Sequence, residues 1–210
     1  MAEQELEFQQ IYRDFHPRIL RYLTRMVGEN DAEDLAQEVF AKIGQALKAF
    51  RGESSLSTWI YRIATNVALD RLRRISSTRY GDAKKEPVEG IMENEEDKDV
   101  WTGEQKASME QRMIRQEMNG CVLEIIETLP EGYRSVIVLS ELEGMKDAEV
   151  ADILGLSLQA AKIRLHRART QLKKELSTAC VFYRDDRNVL ACDRKNPFVR
   201  IGEITVASKN

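Results

Sequence analysis

The chain has 210 residues, a formal net charge of −3 and 42% hydrophobic residues. This length allows one large domain or two small ones, and no apolar stretch approaches the ~18 residues of a membrane-spanning helix. The acidic N-terminus MAEQELEFQQ lacks the apolar core of a signal peptide, and three cysteines, an odd number, favour a reducing compartment. We therefore expect a cytoplasmic protein without membrane insertion.

The first two predicted elements are helices. Apolar residues recur at helical spacing over Leu6–Met26, and Gly28 is expected to end that helix. Asn30 or Asp31 is expected to cap the second helix, which runs to about Leu47.

A third helix follows the loop RGESSLS, with Ser57 as its expected N-cap and Ile75 near its end. It combines Trp59 and Tyr61 with a cluster of arginines. Single-stranded DNA is bound in this way, because bases stack on rings at ~1–3 kcal/mol each while arginines hold phosphates. The loop before it is suited to closing around an extruded base. The alternative is that the two rings belong to the core.

The character of the sequence changes after this helix. Residues 77–115 are acidic and turn-prone, which predicts a tether between a first domain, 1–76, and a second, 116–177. Residues 178–210 form a separate C-terminal extension in this division.

The second domain contains a predicted helix-turn-helix. Asp147 is the expected cap of its first helix, Gly155 supplies a left-handed turn residue, and Ser157 caps the second helix. No acidic residue occurs over Ala160–Lys174. A basic helix after a tight turn fits the major groove of DNA. The alternative is a solvated helix in a bundle.

The extension contains CVFYRDDRNVLAC, which predicts a hairpin. With a three-residue loop at Asp186–Asn188, Phe182 faces Cys192, and Cys180 shares a face with Cys192. That arrangement suits metal or redox sensing with an added ligand such as Asp193, whereas a two-residue loop separates the thiols. The alternative is a docking hairpin with incidental thiols. Cys121, on an apolar helix face, is predicted to be core.

Three segments resemble extracytoplasmic-function (group 4) sigma factors, members of the σ70 family of bacterial RNA polymerase sigma factors. DAEDLAQEVFAKI resembles the family's polymerase-binding helix, and FRGESSLSTWIYRIATNVALDRLRR its −10 segment. LPEGYRSVIVLSELEGMKDAEVADILGLSLQAAKIRLHRARTQL resembles its −35-reading domain. The resemblance covers about 6–76 and 116–176. It implies an all-α fold of two small helical domains, joined by a flexible acidic linker and followed by a short hairpin-like extension.

The resemblance also implies partners and sites. The partners are core RNA polymerase, promoter DNA as −35 duplex and −10 single strand, and an anti-sigma factor where the extension does not replace one. No cofactor is required. The implied polymerase-binding residues are Asp34, Gln37 and Glu38. The implied −10 residues are Ser54, Ser55, Leu56, Trp59, Tyr61, Arg62, Asn66, Arg71, Arg73 and Arg74. The −35 residues are Ser157, Lys162, Arg164, His166, Arg167 and Arg169.

Three other classes of protein fit the sequence less well. A stand-alone helix-turn-helix regulator, whose N-terminal half dimerises or binds a ligand, leaves the aromatic–basic helix unexplained. A protein-binding adaptor leaves the acid-free helix unexplained. An enzyme is disfavoured because no nucleophile, base and oxyanion donor occur together, and the two histidines are isolated.

Overall fold

The structure, a computed structural model, describes residues 2–79, 120–184 and 190–195. The predicted linker, 77–115, lies outside these residues except for its first three positions, which continue a helix. The predicted hairpin loop, Asp186–Asn188, also lies outside them.

The N-terminal unit consists of three helices, α1 (Ala2–Val27), α2 (Glu29–Ala46) and α3 (Leu56–Arg79). Gly28 ends α1 as predicted, with a φ of 89° that favours glycine. The predicted cap of α2 is wrong, because the helix begins at Glu29 and Gly28 is its N-cap residue. A short 3₁₀ turn, Leu47–Ala49, follows α2.

The core of this unit contains two buried tyrosines, Tyr22 and Tyr61. Their rings pack edge to face, with centroids 5.2 Å apart. The Thr65 hydroxyl donates to the Tyr61 carbonyl oxygen at 2.7 Å, so its oxygen accepts from the Tyr22 hydroxyl at 2.8 Å. Each of these buried polar groups therefore has a partner.

The C-terminal unit contains α4 (120–128), α5 (Glu131–Ile137), α6 (Asp147–Leu154) and α7 (Leu158–Ala179). A π-helical turn, Val138–Leu142, continues α5. The predicted cap of α6 is one residue too late, since Lys146 occupies that position and its backbone N–H donates to the Glu149 carboxylate at 3.0 Å.

The chain then forms a hairpin of β1 (Cys180–Arg184) and β2 (Leu190–Arg194), paired antiparallel. Phe182 is opposite Cys192, which is the register expected of the first of the two loop lengths that the sequence left open. The observed architecture, helical with a short terminal hairpin, is the expected one. Among the helices of the described residues, none combines the length and apolar character needed to cross a bilayer.

Candidate nucleic-acid interface

Helix α7 has the two-faced character that a DNA-reading helix needs. Gly155 adopts a φ of 64° before it, and the Ser157 hydroxyl accepts from the Ala160 N–H at 3.1 Å, as predicted. The buried face of the helix carries Ala161, Leu165 and Ala168. The exposed or half-buried predicted −35 residues are Ser157, Lys162, Arg164, His166, Arg167 and Arg169. The structure thus presents all of them along one continuous helix and its cap.

Arg169 already has an acidic partner. Arg169 donates through Nε and Nη2 to the same oxygen of Glu141, at 2.9 and 2.6 Å. Glu141 lies in the π-helical turn, so this ion pair ties the turn to α7. Both side chains are largely exposed, and an exposed pair is worth little in water. A phosphate therefore has little energy to overcome in displacing Glu141.

A side-chain hydroxyl of the loop before α3 accepts a hydrogen bond from the first turn of that helix. Ser55, and not Ser57 as predicted, caps the helix: its oxygen accepts from the Thr58 N–H at 3.0 Å, and its carbonyl oxygen accepts from Trp59 N–H at 3.0 Å. Ser54 is half-buried and Ser55 exposed, so a base entering the loop can reach them. Gly52, at a φ of 71°, makes the bend that precedes them.

The two aromatic residues of α3 differ in accessibility. Trp59 is half-buried and packs against Phe50 with ring centroids 5.0 Å apart. Tyr61 is fully buried, and its hydroxyl donates to Glu143 Oε2 at 2.6 Å. Burial, and then the Glu143 carboxylate, raise the pKa of Tyr61 well above its ordinary value. The expected exposure of Tyr61 is therefore not found, whereas Leu56 is half-buried and Asn66 exposed.

The arginines predicted to meet −10 phosphates are paired within the protein. Arg71 holds Asp31 of α2, Arg62 forms an ion pair with Asp152 of α6, and Arg73 lies 3.6 Å from Glu131 of α5. Arg73 also contacts Asp70 one turn earlier in α3. Arg74 is exposed. The structure thus keeps these cations on one helix and gives Arg62, Arg71 and Arg73 acidic partners.

The predicted polymerase-binding residues, Asp34, Gln37 and Glu38, are exposed on α2. They lie opposite the buried Leu35, Ala36 and Val39. Glu38 pairs with Lys42 at 3.4 Å along the same helix. The face is therefore polar, solvent-accessible and rigidly backed by the core.

The hairpin thiols lie close together. Cys180 is buried with Ile125 of α4, and Cys192 packs against this small cluster. Burial raises the pKa of both thiols, and burial together with the Cys180 neighbour raises that of Cys192 to about 11. Cys121 is buried, as predicted, but also accepts a hydrogen bond from Arg194 at 3.0 Å. Among the described residues, no three His, Cys, Asp or Glu side chains are grouped to hold a metal ion.

Sequence reasoning missed the acidic residues that connect the two units, Glu131, Glu143 and Asp152. Each lies in a segment where charged residues are common, so no local pattern marks them. It also missed the contact of Arg194 with Cys121 and Glu124, which fastens the hairpin to α4. The two Arg194 contacts join residues 70 and 73 positions apart, beyond the reach of any periodic pattern.

Two family models match the chain in order: Sigma-70 region 2 over residues 11–78 and Sigma-70 region 4 over residues 119–172. The ECF RNA polymerase sigma-E factor of Haemophilus influenzae is 34% identical over 77% of this chain and 83% of its own length. The ECF RNA polymerase sigma factor SigW of Bacillus subtilis is 34% identical over 79% and 85%.

Solved structures show the same fold. CnrH, in complex with the cytosolic domain of CnrY, matches with a TM-score of 0.56 and 24% identity, covering 83% of this chain and 90% of CnrH. The sigma factor RpoE of Bartonella quintana, in complex with the anti-sigma factor NepR, matches with a TM-score of 0.57 and 20% identity, covering 81% and 97%.

Proposed function

The chain belongs to the extracytoplasmic-function (ECF) group of the σ70 family, and from that premise we propose that it directs core RNA polymerase to specific promoters. It reads the −35 element as duplex through α7 and captures the −10 element as a melted strand through α3 and the preceding loop. The observation that carries this proposal is the acid-free, solvent-facing side of α7 behind a capped turn.

The accessible side chains suggest which segment of the protein contacts each partner. Lys162 and His166 are exposed in the first turns of α7, where a recognition helix meets base edges. Trp59 and the Ser54–Leu56 loop offer a stacking ring and hydroxyls for an extruded base. Asp34, Gln37 and Glu38 form the proposed contact with polymerase. The protein acts as an initiation factor in the cytoplasm, where polymerase works, and not as an enzyme.

Run-off transcription with core polymerase and fragments from upstream of the protein's own gene tests the proposal. We expect discrete transcripts that disappear in Lys162→Glu, which reverses one exposed charge on α7. Arg13→Glu is the control, because Arg13 is exposed on α1, where its guanidinium donates to Gln10 one turn earlier in the same helix. If no complex with core forms, a stand-alone regulator that binds duplex without polymerase becomes the better proposal.

Polymerase binding is tested separately by pull-down of core. Asp34→Arg is expected to weaken it, whereas Asp14→Arg, at an exposed acid of α1, is expected to leave it unchanged. Equal losses from both would contradict the assigned face. An anti-sigma factor is also a proposed partner, by analogy with the RpoE–NepR complex.

The hairpin is a proposed sensor of metal or oxidant. The shared face of Cys180 and Cys192 supports this. Within the described residues, no three potential ligands are grouped to hold a metal ion. Hydrogen peroxide would oxidise the two thiols to a disulfide, and its O–O bond would break to give two molecules of water that take up both thiol protons. Transcription by the Cys180→Ser/Cys192→Ser double variant, with and without peroxide, Zn²⁺ or Cu²⁺, is the test. A response equal to that of the unaltered protein would exclude the sensor.

A further inference from the structure

Two uncharged side chains, Gln159 and Ile163, lie among the cations on the first turns of α7. Gln159 is exposed, and Ile163, one turn later, is half-buried. Within the described residues, Ile163 belongs to neither of the two clusters of packed apolar side chains. Neither residue is among those that the family resemblance assigns to the −35 element. Their chemistry is therefore available for a contact that the cations do not make.

Both residues lie on the side of α7 that faces away from the protein. Residues four apart in an α-helix share a face, because each residue rotates the chain by ~100°. The buried side of α7 carries Ala161, Leu165 and Ala168. The direction midway between Gln159 and Ile163 is about 170° from the mean direction of these three residues. A helix that lies in the major groove turns this side towards the base edges.

The position along the helix also fits contact with bases. In helix-turn-helix proteins, residues near the N-terminus of the second helix contact base edges. α7 begins at Leu158, so Gln159 is its second residue and Ile163 its sixth. At ~1.5 Å per residue, the two are ~6 Å apart along the helix, which is just under two base steps of ~3.4 Å. They can therefore contact neighbouring or next-but-one base pairs.

The cations around this pair do not by themselves favour adenine or thymine. Lys162 and His166 are exposed three and seven residues after Gln159. A cation attracts phosphate in every DNA sequence, and among base edges it favours the two acceptors of guanine. A preference for A·T pairs therefore depends on an amide or an apolar side chain.

The glutamine side chain matches adenine because it carries both a donor and an acceptor. In the major groove, adenine presents the N6 amino group beside the N7 acceptor. Gln159 Nε2 would donate to N7 while its Oε1 accepts from N6. Guanine presents two acceptors at these positions, so the carbonyl oxygen of Gln159 would face another acceptor.

The isoleucine side chain matches thymine for a different reason. Thymine carries a C5 methyl group, which is an apolar feature of the major groove. Ile163 would remove this methyl group from water together with part of its own surface. Its position one turn after Gln159 places this contact beside the adenine.

We propose that Gln159 and Ile163 are specificity-determining residues of α7. Gln159 reads one adenine of the −35 element through N6 and N7, and Ile163 contacts the methyl group of a thymine within two base pairs of it. This inference rests on the proposed function, because that function brings α7 into the major groove of the −35 element.

The test replaces single atoms and groups of the DNA in a promoter fragment that gives transcripts. Each adenine of its −35 region is replaced in turn by 7-deazaadenine, which has carbon in place of N7. Each thymine is replaced by uracil, which lacks the methyl group. Affinity is measured for the complex of core polymerase with the unaltered protein, Gln159→Ala, Ile163→Ala or Gln171→Ala. Gln171 is the matched control, since it lies further along α7 and donates to Glu175 at 2.8 Å.

For the unaltered protein, we expect one 7-deazaadenine to weaken binding at least about 2-fold and one uracil to weaken it about 4-fold. Gln159→Ala should lose the response to 7-deazaadenine, and Ile163→Ala the response to uracil. Gln171→Ala should keep both responses. Gln159→Ala should also lower the preference for adenine over guanine at its position by about 5- to 150-fold.

A response that persists in an alanine variant would overturn the role of the residue replaced. Indifference of the unaltered protein to every substitution would overturn both roles, while transcription from the fragment would still support the proposed function. If no fragment gives transcripts, the proposed function fails and this inference fails with it.

Discussion

Arg71 donates two hydrogen bonds to Asp31, from Nε to Oδ2 at 3.1 Å and from Nη2 to Oδ1 at 2.7 Å. The pair fastens α3 to the first turn of α2. These bonds raise the pKa of Arg71, so it stays charged throughout the working range of pH. A residue assigned to DNA phosphate from the sequence therefore also has a structural partner.

Replacing Arg71 by Lys separates these two roles. Lysine keeps the charge but not the planar fork, so we expect a lower melting temperature. Arg21→Lys is the control, because Arg21 is exposed on α1. An unchanged melting temperature in Arg71→Lys would show that Asp31 contributes nothing to stability. Asp31→Asn should lower it in the same direction.

The buried Tyr22–Thr65 pair predicts unequal effects of two substitutions. Thr65→Val leaves the Tyr22 hydroxyl without an acceptor in the core, which costs ~1–3 kcal/mol of unfolding free energy. Tyr22→Phe leaves Thr65 bonded to the Tyr61 carbonyl oxygen, so it should cost less, about 0.5–1.5 kcal/mol. Urea denaturation measures both. The reverse order would contradict the assigned direction of the hydrogen bonds.

Gly155 is predicted to resist substitution for backbone reasons alone. A Cβ added there meets nothing within 4 Å, but its φ of 64° is unfavourable for other residues. Gly155→Ala should therefore cost ~1–2 kcal/mol, and Gly155→Asn less, since Asn tolerates this region. Thermal unfolding compares the two. Equal losses would point to a steric cause.

The raised pKa of Cys192 predicts that the free energy of unfolding decreases at alkaline pH. Its pKa is raised from 9.0 to about 11 in the folded protein, so the unfolded chain releases this proton first. The contribution of the neutral Cys192 thiol to the free energy of unfolding is complete below pH 9.0 and is lost as pH rises to about 11. The difference in unfolding free energy between the unaltered protein and Cys192→Ser should shrink across that window. A difference independent of pH would show that the thiol is not held in its neutral form.

Local sequence determined most of the helices and turns. The apolar period of α1 and α2, the left-handed Gly155 and the Ser157 cap follow from interactions among near neighbours, and the structure confirms them. The hairpin was predicted as well, but the structure decided between its two possible registers. The N-cap residues of α2, α3 and α6 were predicted incorrectly. Several polar residues stand near each boundary, and the choice among them depends on where the helix packs.

Only the tertiary structure decided which side chains are available. Tyr61 is buried, and its hydroxyl donates to Glu143, 82 residues away, while Arg62 contacts an acid 90 residues away. Sequence specified an aromatic–basic helix and a basic recognition helix, since composition and period are local properties. Whether those surfaces face solvent, DNA or one another depends on docking between units. That docking depends on the balance of burial, ion pairing and chain entropy. A periodic sequence pattern contains no information about this balance.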